Sequence, residues 1–200
     1  MARSIRCILA LIISTVLGIG VIQYLAYPTL LQYDRFANVM NRFGYTKETL
    51  ILFVVLSCWL LYLQIEFRRF SIIYLYLFYS VYLFLLFVVL FAKAPEYHTF
   101  NGDLFDFLVW DRGTLIEALL NLVYFIPLGG LYGLRANWLE FGLISLLTIT
   151  GIETIQYVFY IGTFSVSDIL LNFLGCLVGY SICLVLRKYM DKNVVQKRTS

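Results

Sequence analysis

Charge is scarce in this chain. Lys and Arg number 15 and Asp and Glu 12 among 200 residues, so 14% are charged where a soluble domain carries about a quarter. Histidine occurs once, at His98, with no second metal ligand in its segment, and no metal or cofactor is expected. The four cysteines (Cys7, Cys58, Cys176 and Cys183) lie in or beside apolar segments without a Cys-x-x-Cys pair, and read as small apolar residues. No glycine-rich phosphate loop follows a strand, and no Gly-x-Ser-x-Gly elbow occurs. Ser165 and Ser167 have no base nearby in sequence, which favours capping or loop roles over nucleophilic catalysis. Repeats, low-complexity stretches and linkers are absent, so residues 1–200 read as a single membrane domain. The net charge of +3 divides between the two sides of that membrane, and no nucleic-acid partner is expected.

What the chain has instead is apolar length. Hydrophobic residues make up 62%, mean hydropathy is +0.85, and Ile8 to Tyr33 contains no charge. A helix needs about 20 residues to cross ~30 Å of hydrocarbon. Arg3 and Arg6 precede the first run as in a signal peptide, but the run is too long and lacks a small-x-small cleavage site, so it is read as a retained span. Apolar segments at about 8–27, 49–65, 71–92, 114–134, 138–161 and 169–186 predict about six spans. Barrel strands would alternate over about ten residues; these runs are longer and apolar on all sides, which predicts an all-α polytopic transmembrane helix bundle. Six spans put both termini on one side with Arg3, Arg6, Arg68, Arg69, Arg135, Arg187, Lys188, Lys192, Lys197 and Arg198. Arg35, Arg42, Lys47, Lys93 and Arg112 fall on the other. The excess places both termini in the cytoplasm.

The first outer loop, Pro28 to Glu48, has Phe36, Val39, Met40 and Phe43 at helical spacing, with Arg35, Asn38 and Arg42 on other faces. That pattern fits a short interfacial helix or an ordered loop packed on the bundle. The second, Lys93 to Gly113, mixes Glu96, Asp103, Asp106 and Asp111 with Tyr97, Phe100, Phe105, Phe107 and Trp110, as suits the headgroup level. The polar tail over 190–200 reads as a mobile cytoplasmic segment.

The polar residues inside spans concentrate in the C-terminal half. Glu117 and Asn121 share one face of the fourth span, Glu153 and Gln156 one face of the fifth, and Asp168 and Asn172 one face of the sixth. Pro127 predicts a kink in the fourth span. Gly129 with Gly133, and Gly175 with Gly179, match the small-xxx-small spacing of closely approaching helices. With alternating span direction, all six polar side chains fall within the outer ~10 Å of the bundle at ~1.5 Å per residue. Such groups either line a polar pocket open to the outer surface, or hold helices together by hydrogen bonds. Asp168 is also placed to be a helix N-cap, and Glu153 with Asp168 could do acid–base work if they are close.

At these residues the chain resembles the VanZ-like family of bacterial membrane proteins. The resemblance rests on Asn121-Leu-Val-Tyr-Phe-Ile-Pro127-Leu-Gly129, then Glu153-Thr-Ile-Gln156, then Asp168-Ile-Leu-Leu-Asn172-Phe-Leu-Gly175 with Gly179-Tyr180, and covers about 117–180. It implies a multi-pass protein of the bacterial cytoplasmic membrane. The family is named for an accessory protein of glycopeptide resistance, associated with lowered susceptibility to teicoplanin. Many members carry an arginine and extra acidic residues just before the retained aspartate; Gly162 to Ser167 stand there in this chain. The leading expectation is a non-enzymatic envelope protein whose partners are membrane lipid and a lipoglycopeptide. The alternative is a membrane enzyme or carrier for a lipid-linked envelope precursor, with Arg112 and Lys93 as the nearest cations for its phosphates. A small transporter or structural component ranks last.

Overall fold

A computed structural model describes residues 2–69, 71–91, 99–108 and 111–198. The expectations resting on Lys93, Glu96, Tyr97, His98 and Trp110 lie outside the described residues. Within them the chain is all-α and polytopic. Six helices are long and apolar enough to cross a membrane: Arg3–Leu31, Thr46–Phe67, Ile72–Phe91, Arg112–Gly133, Trp138–Val158 and Val166–Tyr189. Their bounds follow the six apolar segments closely, because charged and polar residues mark where apolar runs can end. The chain divides into two compact units, Met1–Leu85 and Leu86–Ser200.

In the first unit, α1 (Ala2–Gly20) passes through a π-helical turn, Val21–Ala26, into α2 (Tyr27–Leu31). Pro28 in a regular helix would meet the carbonyl of Tyr24; the wider turn just before it relieves that clash and lets the helix run on. The amphipathic pattern that follows forms α3 (Asp34–Arg42). Phe36 and Met40 are buried, whereas Val39 and Phe43 are exposed. α4 (Thr46–Phe67) runs antiparallel to α1: Trp59 Nε1 donates to the Cys7 carbonyl at 3.2 Å, and Arg6 Nη2 to Glu66 Oε1 at 2.6 Å. Arg68 ends α4 in the left-handed conformation (φ 54°), turning the chain into α5 (Ile72–Phe91), where Tyr74 Oη donates to the Ser57 carbonyl at 2.7 Å.

The second unit contains the end of α5, a two-residue strand β1 (Phe100–Asn101), α6 (Arg112–Gly133), α7 (Trp138–Val158), β2 (Phe164–Ser165) and α8 (Val166–Arg198). Asp111 caps α6; the Thr114 backbone N–H and hydroxyl hold its carboxyl below the usual carboxylate range. α7 starts with a capping box, in which Asn137 Oδ1 accepts from Leu139 N and Glu140 N while Asn137 N donates to Glu140 Oε2. Asn137→Ala is expected to lower stability by about 1 kcal/mol, read as a lower thermal midpoint in detergent; an unchanged midpoint would deny the cap that role.

α6 remains helical through Pro127, and it packs in parallel against α8. Leu122 lies against Gly175, Ile126 against Gly179, and Gly129 against Cys176. Both small-xxx-small pairs therefore meet the partner helix directly, as their spacing predicts. Carbonyls at the end of α6 and in the turn after it are taken up by α8: Arg187 Nη1 donates to Gly133 O and Tyr180 Oη to Ala136 O, each at 3.0 Å. α7 is antiparallel to α8, with Phe141 stacked on Tyr180 at 4.2 Å between ring centres. Phe125, Phe141, Ile149, Cys176 and Tyr180 form the buried core, while Leu147 and Val185 remain exposed, as side chains facing lipid do.

Candidate functional site

The N-terminal ends of α6 and α8 and the C-terminal end of α7 meet at one end of the second unit, and the polar residues gather there. Their placement begins with how α7 stops. Tyr160 takes the left-handed conformation (φ 57°), a region disfavoured for bulky side chains, and Ile161 N returns to the Gln156 carbonyl at 2.9 Å. The chain then runs back along the helix, with Gly162 against Gln156. Next, β2 pairs in parallel with β1, Phe100 opposite Phe164 and Asn101 opposite Ser165. Phe164 N donates to the Thr99 carbonyl at 3.0 Å, and the Thr99 and Thr163 hydroxyls meet at 2.8 Å. This ribbon fixes Ser165 directly before α8.

Ser165 is the centre of the arrangement. Its backbone N–H donates to Glu153 Oε2 at 3.3 Å. Its hydroxyl lies 2.8 Å from that of Ser167 and accepts from Asp168 N at 3.3 Å. The N-cap of α8 is thus Ser165, not Asp168. The Asp168 carboxylate turns instead to the neighbouring helix, where Asn121 Nδ2 donates to Asp168 Oδ1 at 2.9 Å. The chain of contacts runs from α7 through the loop and α8 to α6. Glu153 is 2% exposed and Asn172 2%. Asn121 and Asp168 are half-buried.

Four of the six predicted polar residues occupy this region: Glu153, Asp168 and Asn121 through these bonds, and Asn172 one turn further along α8. Gln156 is buried, but its amide donates to the Leu90 carbonyl of α5 at 2.7 Å, so it binds a helix end rather than the carboxylates. Glu117 is exposed at the start of α6. Sequence reasoning missed Ser165 and Ser167 as members. Both are small hydroxyl residues at the start of a helix, Ser165 just before α8 and Ser167 in its first turn, and only their burial, at 5% and 1% exposed, separates them from ordinary caps.

Chemically, the cluster offers carboxylates, hydroxyls and amide oxygens at one end of a helix bundle. A charged side chain costs about 2.5–3.5 kcal/mol at the centre of a span on insertion scales, so carboxylates within spans face the bundle interior or a cavity rather than lipid. Comparison with known proteins finds that a VanZ/LLP1 family model matches residues 51–187, more than half of the chain. The match extends upstream of the polar helices over α4 and α5, where no recognisable motif stood out. No curated protein and no solved structure matches the chain.

Proposed function

Because the chain belongs to the VanZ/LLP1 family, we propose that it is a non-enzymatic, multi-pass protein of the bacterial cytoplasmic membrane that lowers susceptibility to lipoglycopeptides such as teicoplanin. In this reading both termini are cytoplasmic, and the Glu153–Ser165–Asp168–Asn121 cluster lies at the outer leaflet as a polar recess. The observation that supports it is the hydrogen-bonded link from Glu153 through Ser165 and Asp168 to Asn121, which joins three helices at one level. Helix association alone can use small residues and packing, as the glycine contacts of α6 and α8 already do. Two carboxylates added at this level call for a further role.

Teicoplanin carries an acyl chain, so a membrane-embedded factor at the outer leaflet meets it where it inserts. Deleting the gene is expected to raise susceptibility to teicoplanin more than to vancomycin, measured as minimal inhibitory concentrations of deletion and complemented strains. Equal changes for the two drugs, or none, would remove the proposal.

A further inference from the structure

We propose that Arg3 and Arg6, at the start of α1, bind the phosphate of an anionic phospholipid headgroup. The site lies in the first unit and does not depend on the susceptibility reading. The observation that leads there is an imbalance of charge around one carboxylate. Glu66 Oε1 accepts from Arg6 Nη2 at 2.6 Å and from Arg3 Nε at 3.4 Å, so both guanidinium groups meet at a single oxygen. Glu66 Oε2 is taken by the Tyr62 hydroxyl at 3.4 Å.

Exposure separates the acid from its partners. The Glu66 side chain is 14% exposed, whereas those of Arg3 and Arg6 are 62% and 56% exposed. The carboxylate is largely covered, and the two cations remain open to a second anion. One negative charge cannot balance two guanidinium groups, and Glu66 is the only acid in residues 2–20 and 50–72. The turn after it adds Arg68 and Arg69, both exposed. Arg3, Arg6, Arg68 and Arg69 thus belong to the same end of the α1–α4 pair, with one carboxylate among them. Clusters of about four to eight basic residues beside a span attract anionic headgroups, and the planar donor fork of arginine matches phosphate.

The apolar surroundings favour a lipid over a dissolved anion. Leu9, Ile13 and Val16 follow Arg6 by three, seven and ten residues, which puts them on its side of α1. All three are exposed, whereas Ala10 and Ser14 are buried. A phosphate held by Arg6 would therefore have its acyl chains beside an exposed apolar stripe of the same helix. Arg3 sits over the ring of Phe67, 5.4 Å from its centre, and that ring is exposed as well.

The test titrates the purified full chain in detergent with phosphatidylglycerol, phosphatidylcholine or inorganic phosphate at matched ionic strength. Thermal midpoints and native mass spectrometry are the readouts. A lipid that binds only the folded state raises the midpoint in a saturating way. The expected result is such a rise, with a retained lipid adduct, for phosphatidylglycerol alone. Arg3→Gln and Arg6→Gln should each weaken it about fivefold, as fits the loss of one basic residue near an anionic headgroup. Arg42→Gln, on α3 before the opposite end of α4, should leave it unchanged. Glu66→Gln keeps an acceptor for Arg6 but removes the competing charge, so it should bind the lipid more tightly, a gain that a damaged fold cannot imitate. Should Arg6→Gln fail to fold, Arg3→Gln still decides, because the shorter Arg6–Glu66 bond remains. Equal responses to the two lipids would overturn the site, and so would an equal response to inorganic phosphate. Weaker binding by Glu66→Gln, or a loss in Arg42→Gln as large as in Arg3→Gln, would also overturn it, the latter by marking a general attraction of basic chain to acidic lipid.

Discussion

Gly179→Ala is expected to destabilise the protein by about 3 kcal/mol or more, the upper range for overpacking a well-filled interface. A Cβ at Gly179 would sit 1.8 Å from the Ile126 carbonyl oxygen and 2.9 Å from Gly130 N. These are backbone atoms in the middle of α6 and cannot swing aside as a side chain could, so the helices must separate. Separation would strip the contacts of Cys176 and Tyr180, two of the most buried side chains in the unit. Gly129→Ala, 1.9 Å from the Cys176 carbonyl, and Gly175→Ala, 2.1 Å from that of Leu122, should behave alike. The comparison is Gly142→Ala on α7, where nothing lies within 4 Å; alanine's better helix propensity makes it neutral or stabilising by up to about 1 kcal/mol. Thermal midpoints in detergent, with size-exclusion profiles, separate the two classes. A Gly179→Ala protein that melts with the wild type would mean that α6 and α8 do not pack this closely.

That interface was legible in the sequence because small-xxx-small spacing and close helix packing are both consequences of helix periodicity. The six spans were legible for a similar reason: apolar length has few alternatives in lipid. The short helix Asp34–Arg42 carried its own signal in Phe36 and Met40, while the exposure of Val39 and Phe43 depends on which neighbours happen to be present. The features that build the site were not legible. A parallel pairing of Phe100–Asn101 with Phe164–Ser165 joins segments more than sixty residues apart, and neither segment alternates long enough to read as a strand. Tyr160 takes a left-handed conformation that nothing in its local sequence favours over glycine. Glu153 and Gln156 share a helix face, yet one turns to Ser165 and the other to the end of α5. Spacing fixes direction within a helix, but the partner is chosen by packing between helices.

Glu153→Gln is the variant that separates charge from architecture. Glutamine has nearly the same volume, and its Oε1 can still accept from Ser165 N, so the link between α7 and the loop is retained. Losing a charge-assisted bond, worth about 1.5–3 kcal/mol, is offset by relief of a carboxylate that is 2% exposed. The thermal midpoint should therefore change little. Glu153→Ala instead leaves Ser165 N without its acceptor, at a cost of about 1–3 kcal/mol, and the midpoint should fall. If the negative charge is what the recess presents, both variants bring teicoplanin susceptibility to the level of the deletion strain, although only the alanine protein is destabilised. A glutamine variant that is folded, expressed at wild-type level and fully protective would show that Glu153 serves as a hydrogen-bond acceptor alone. The buried carboxylate would then be a structural tie between α7 and α8, and a function for the cluster would have to rest on Asp168 and Asn121.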